Sequence, residues 1–99
     1  MAVEVNKVDG KNVGDIFMYA LSTCVWCRRT KALLNELGIA YQYVDVDLQQ
    51  GEDRRQVIEE VGRWNPARSF PTLVVNQERA IVGYDERAIR ELANDGSRD

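Results

Sequence analysis

Ninety-nine residues, 44% hydrophobic and 29% charged, describe one ordinary globular domain spanning 1–99, too short to divide in two. The net charge of −3 excludes a general attraction to nucleic acid or to an anionic membrane surface. The longest apolar run, Ile16 to Leu21, is far too short to cross a bilayer, and Glu4, Lys7, Asp9, Lys11 and Asp15 leave no signal-peptide core. A cytoplasmic location is the expectation.

Residues 1–14 form a leader in which Val3, Val5 and Val8, followed by the turn-like Asp9-Gly10, suggest a short extra strand. Asp15–Leu21 is a continuous apolar run of strand length, the pattern of a buried strand. From about Val25 to Leu37 the spacing becomes helical. Cys27, Thr30, Leu34 and Leu37 share one face, while Arg28, Arg29, Lys31 and Asn35 can face water. Gly38 is a natural stop just past the last turn.

Ala40–Val46 is β-rich and predicts a second strand. Gly51 marks a break before Asp53–Trp64, where Val57, Ile58, Val61 and Trp64 recur at helical spacing. Thr72–Val75 and Ala80–Gly83 flank the polar Asn76-Gln77-Glu78-Arg79 and predict a hairpin. A last helix spans about Glu86–Asn94, with Asp85 as N-cap and Tyr84 and Ile89 as a hydrophobic staple. The tail 95–99 should fray. An α/β domain follows: a mixed central sheet of four strands, or five with the leader, flanked by three helices on both faces.

The chemistry rests on Cys24-Val25-Trp26-Cys27, which holds the only two cysteines. At a strand-to-helix junction such a pair reads as a redox dithiol or as half of a metal site. A structural bridge across so small a loop would gain little on the chain-entropy model, and cytosolic disulfides tend to be transient and catalytic. Two cysteines and no histidine cannot complete a zinc site or hold an iron–sulfur cluster within one chain, so no metal ligands are assigned. A dimer sharing a cluster stays open. No Gly-rich phosphate loop appears, and Glu52-Asp53 and Glu59-Glu60 read as solvated helix faces.

The strand, the C-x-x-C at a helix start and a distant X-Pro opening a hairpin resemble the thioredoxin fold. The finer resemblance is to glutaredoxins and to the glutaredoxin-like redoxins that serve ribonucleotide reductase. It rests on Met18-Tyr19-Ala20-Leu21-Ser22-Thr23-Cys24-Val25-Trp26-Cys27, on Arg68-Ser69-Phe70-Pro71-Thr72 and on Val82-Gly83-Tyr84-Asp85-Glu86. It spans about residues 15 to 93. It implies a thiol–disulfide oxidoreductase that reduces protein or low-molecular-weight disulfides, with Cys24 as nucleophile and Cys27 as resolving thiol. A helix N-terminus at Cys24 would independently favour the thiolate there, with Arg28, Arg29 and Lys31 adding positive potential.

The resemblance further makes Phe70-Pro71 a cis peptide, with the Phe70 backbone offered to an extended substrate. It implies that Arg68 meets the glycine carboxylate of glutathione and that Asp85 meets its γ-glutamyl amine. Leu21 stands where glutathione-binding members carry a lysine, and Val82-Gly83 replaces a Gly-Gly pair, so that binding is weakened. Trp26 replaces the usual tyrosine and is either a docking patch or a core residue. No resident cofactor is expected; glutathione is a candidate co-substrate. The partners implied are a disulfide-containing protein and an electron donor: glutathione, a thioredoxin-reductase-like flavoprotein or a ferredoxin-linked reductase. A monomer is expected. The competing readings are a glutathione-dependent iron–sulfur cluster carrier and a redox-inactive binding module.

Overall fold

A computed structural model of the chain describes residues 3–96, with side chains through Asn94. The leader contributes β1 (Asn6–Val8), and the buried run forms β2 (Ile16–Ala20). Helix α1 (Val25–Glu36) crosses to β3 (Tyr41–Asp45), a single 3-10 turn (Val46–Leu48) follows, and α2 (Gly51–Trp64) leads to the hairpin β4 (Thr72–Val75) and β5 (Arg79–Val82). Helix α3 (Glu86–Gly96) closes the order, so Asp95 and Gly96 are helical. The rest of the tail expected to fray, 97–99, lies outside the described residues.

The five strands form one mixed sheet in the order β1-β3-β2-β4-β5, which confirms the α/β expectation and adds the leader as a fifth strand. β2 pairs parallel with β3 and antiparallel with β4. A parallel pair needs a long crossover, and α1 supplies it. Two details differ from the sequence reading. Asn76 and Gln77 both adopt φ of 55°, and the Glu78 N–H donates to the Val75 carbonyl at 3.1 Å. This tight turn lets pairing resume at Arg79 rather than Ala80. Gly51 opens α2 instead of preceding it, because first-turn residues need no intrahelical acceptor for their N–H groups.

Alternation along the strands sorts the core by face. Ile16, Met18, Ala20, Leu73 and Val75 point to α1 and α3, forming a cluster of thirteen buried residues that includes Cys27. Tyr19 and Val74 point to α2, with Val44, Val46, Val57 and Val61, a cluster of only six. Helix α1 ends in a Schellman motif, as Gly38 predicted. The N–H groups of Gly38 and Ile39 donate to Asn35 and Leu34 at 3.0 Å each, with Gly38 at φ 69°. The loop after β2 therefore leaves the central strand and enters a helix firmly docked on the larger core.

Candidate active site

Cys24 is the N-cap of α1. Its backbone is extended, and its Sγ accepts a hydrogen bond from the Cys27 N–H at 3.2 Å. That N–H is one of the helix's unpaired donors, so the cap places Cys24 sulfur where negative charge is stabilised. Cys24 is partly exposed. Cys27, one turn further on, is fully buried in the α1/α3 core. Burial, and then its hydrogen bond with Cys24, pushes the Cys27 thiol up to about 12, with Lys31 opposing weakly. Both thiols are free. Three residues of spacing thus produce two chemically different sulfurs.

The loop before Cys24 is held by a pair that sequence reasoning missed. Asp47, in the turn after β3, accepts from the Ser22 N–H at 2.8 Å and from the Ser22 hydroxyl at 2.5 Å. Those hydrogen bonds hold the Asp47 carboxyl below the usual carboxylate range. The Cys24 N–H donates to the Leu21 carbonyl at 3.2 Å, closing the loop. Lys31 is not the solvated cation expected. Its ammonium lies 3.5 Å from Asp45 and 3.9 Å from the Tyr43 ring centroid, half-buried against the sheet. Arg28 and Arg29 are exposed, as read.

Trp26 is 52% exposed, which rules out the core alternative. Its indole stacks on Tyr84 at 5.7 Å, and the Arg29 guanidinium lies 5.0 Å from its ring. The Phe70-Pro71 bond is cis, as anticipated. Pro71 is buried and its carbonyl accepts from the Gly83 N–H at 2.8 Å, tying the cis-proline segment to the one that carries Tyr84. Among the described residues, neither backbone group of Phe70 is hydrogen-bonded. Phe70 and Cys24 both pack against the cluster that holds Cys27.

Asn65 is a second structural residue absent from the sequence reading. Almost wholly buried, it donates from Nδ2 to the Ser69 carbonyl, the Ser69 hydroxyl and the Thr72 hydroxyl at 3.0–3.1 Å. Its own carbonyl accepts from the Arg68 N–H at 2.8 Å. One amide thus shapes the whole segment before Pro71. The shape puts Arg68 at φ 52° and turns its side chain back over α2, where Nε donates to the Ile58 carbonyl at 3.2 Å. The guanidinium lies where a Cβ on Gly62 would be, within 2.5 Å of Nη2. Asp85 caps α3, accepting from the Ala88 N–H at 3.1 Å.

Cys24, Cys27, Trp26, Phe70, Pro71 and Tyr84 therefore converge on one end of the sheet. Arg68 approaches from the far side of Phe70, in a hollow it shares with Leu21 and Phe70. Among the described residues no group of three or more metal-ligating side chains occurs. Among them, too, no helix is long and apolar enough to cross a membrane.

A thioredoxin-like sheet with a capped, partly exposed cysteine one turn ahead of a buried one defines a thiol oxidoreductase site. The glutaredoxin family model matches residues 16–80, and the chain belongs to the glutaredoxin family. Solved relatives agree. Methanoredoxin of Methanosarcina acetivorans is 51% identical over 85% of this chain and 88% of its own, with a TM-score of 0.81. The glutaredoxin of Methanosarcina mazei Go1 is 46% identical over 93% of this chain and 96% of its own, at 0.83. That of Archaeoglobus fulgidus is 34% identical over 80% and 85%, at 0.74. Among curated protein sequences, none matches the chain.

Proposed function

We propose that this chain is a dithiol–disulfide reductase in which Cys24 attacks and Cys27 resolves. The observation that carries the reading is the division between a partly exposed sulfur on a helix N-cap, which accepts from the Cys27 backbone N–H, and a fully buried Cys27 one turn further on. The Cys24 thiolate attacks one sulfur of the substrate disulfide, and the other sulfur leaves as a thiolate and takes a proton. Cys27 then gives up its proton and attacks Cys24 Sγ, releasing the second substrate thiol. Two electrons pass to the substrate and a Cys24–Cys27 bond remains.

A thiol or dithiol reductant must then recharge the pair. Glutathione, a thioredoxin-reductase-like flavoprotein and a ferredoxin-linked reductase are the proposed donors. We expect the glutathione route to be slow: Leu21 supplies no cation, Arg68 is drawn onto α2, and Asp85 is engaged as a cap.

Cys24→Ser should abolish reduction of a model disulfide. Cys27→Ser should accumulate mixed disulfides at Cys24, detected by intact mass. Unimpaired reduction of an intramolecular dithiol-forming substrate by Cys27→Ser would overturn the two-cysteine mechanism. Donor identity is tested by offering the oxidised protein glutathione, then NADPH with a thioredoxin reductase, and following which regenerates free thiols.

A further inference from the structure

Phe70 stands between two hollows that differ in chemistry. On one side it joins Trp26, Gly83 and Tyr84 around an apolar hollow of about 210 Å³. On the other it joins Leu21, Val46, Ile58 and Val61 around one of about 190 Å³, rimmed by Arg54, Arg68 and Asp47. The apolar hollow is conspicuously uncovered. Among the described residues Trp26 is one of the exposed large apolar side chains, about half exposed, and its chain neighbour Val25 is as exposed. Trp26 is also fixed in place, between Tyr84 on one side and Arg29 on another, so little freedom is lost when it is covered.

The second hollow has an excess of positive charge. Neither Arg54 nor Arg68 forms an ion pair among the described residues. Both Asp47 oxygens already accept from Ser22, although Arg54 adds a favourable field there. Near Tyr84, Asp85 is used as a cap and Glu86 pairs with Arg90. The rim cations at Arg54 and Arg68 are thus left to meet an anion in a chain whose net charge is −3.

We propose that this cleft reads a polypeptide disulfide by its neighbours: an aromatic or other apolar side chain against Trp26 and Tyr84, and an acidic side chain at Arg54 and Arg68. The inference rests on the disulfide-reductase reading above. A polypeptide is the occupant because the hollows lie on opposite sides of Phe70, whose unpaired backbone groups can hold an extended chain running between them. Arg54 is the new specificity residue. It brings to the Leu21 side, from α2, a cation that position 21 does not provide.

The test uses the reduced full chain in single turnover, so that no donor is needed. Four disulfide peptides of equal length carry Phe or Ala on one side of the reacting cysteine and Glu or Gln on the other. Second-order rates are read by quenching, alkylating and weighing the thiols. The Phe/Glu peptide should react fastest, with each single change costing about tenfold, the loss of one apolar contact or one charge-assisted hydrogen bond. Arg54→Glu should reverse the preference for Glu over Gln, and Tyr84→Ala should remove only the preference for Phe over Ala. Added salt should shrink the Glu/Gln ratio and leave the Phe/Ala ratio alone.

Equal rates for the four peptides with wild-type protein would overturn the proposal even if the variants failed to fold. So would a charge preference seen with 3,3′-dithiodipropionate over hydroxyethyl disulfide but absent from the peptides, which would make the second hollow a site for a small free thiol. If hydroxyethyl disulfide itself were not reduced, the reductase reading would fall, and this proposal with it. Reduction of hydroxyethyl disulfide alongside four indistinguishable peptides would remove the cleft proposal alone.

Discussion

The two faces of the sheet are built to different standards. The face covered by α1 and α3 is the more closed: it buries thirteen residues in one cluster, with Val8 and Val13 of the leader packed against its margin, and opens into the small hollow beside Trp26 and Tyr84 at its end. The face covered by α2 alone buries six, and leaves an open groove of about 640 Å³ lined by Phe17, Tyr19, Glu60, Arg63, Trp64 and Val74 among others. Cys27 belongs to the closed face and Arg68 leans on the helix of the open one. The Cys27 thiol is kept where packing is dense and water is excluded. Cys27 and Arg68 thus lie on opposite faces of the sheet.

The largest test of that contrast is cavity creation on each face. Leu34→Ala, at a site with no exposure, should cost about 2–5 kcal/mol by chemical denaturation. Val61→Ala, equally buried but beneath the open face, should cost about 1–3 kcal/mol, since less is deleted. Since less is deleted at Val61, equal costs would mean that the open face is packed more tightly, atom for atom, than the other. Gly10→Ala comes next. A Cβ there would meet the Gly38 carbonyl oxygen at 2.6 Å and the Ala40 nitrogen at 2.7 Å, all backbone, so about 1–3 kcal/mol should be lost as the leader is pushed off. A neutral outcome would detach the leader from the closed face.

Alkaline pH offers a comparison on one molecule. Burial raises Cys27 from 9.0 to about 12 on the closed face, and Tyr19 from 10.0 to about 12 on the open one, where the charge of Glu60 adds to it. Both folded values exceed the unfolded ones. Each group's contribution is therefore complete below its unfolded value and is lost as pH rises toward the folded one. Thermal melts of the reduced protein should begin to fall above about pH 9, the closed face responding first. Cys27→Ala should delay that onset, whereas Tyr19→Phe should leave the onset in place and flatten the fall above about pH 10.

The smallest effect is expected at Gly62. Its missing Cβ makes room for the flexible end of Arg68, so Gly62→Ala should displace the guanidinium without straining backbone. Helix propensity favours alanine by up to about 1 kcal/mol, so the melt should be unchanged or slightly higher. A clear destabilisation would mean that Arg68 is a structural strut.

Much of this was legible along the chain, and for identifiable reasons. The apolar run at Ile16–Ala20, the helical spacing after Cys24 and the stop at Gly38 are local patterns, and each formed the element read from it. The two cysteines and Phe70-Pro71 were legible because few residue combinations carry that chemistry. What escaped was polar and non-local. Asp47 meets Ser22 across 25 positions, and Asn65 organises a loop through an amide that no periodicity marks. Helical spacing alone predicts a solvated Lys31, because it does not reveal that Asp45 and Tyr43 of β3 lie beneath it. Arg54 was invisible for the same reason, since its importance comes only from sharing a hollow with Leu21 and Arg68.

The place of β2 in the sheet has one further consequence. It is the middle strand of the five described, paired with β3 on one edge and β4 on the other, and the loop at its end leads into Cys24. Its amides are therefore among the last to meet solvent, and opening them requires the domain as a whole to come apart. Hydrogen exchange in β2 should report global unfolding in the reduced and oxidised protein alike. Any difference in its slowest exchange between the two states then measures how much of the pair's reducing power is held as folding stability of the whole domain.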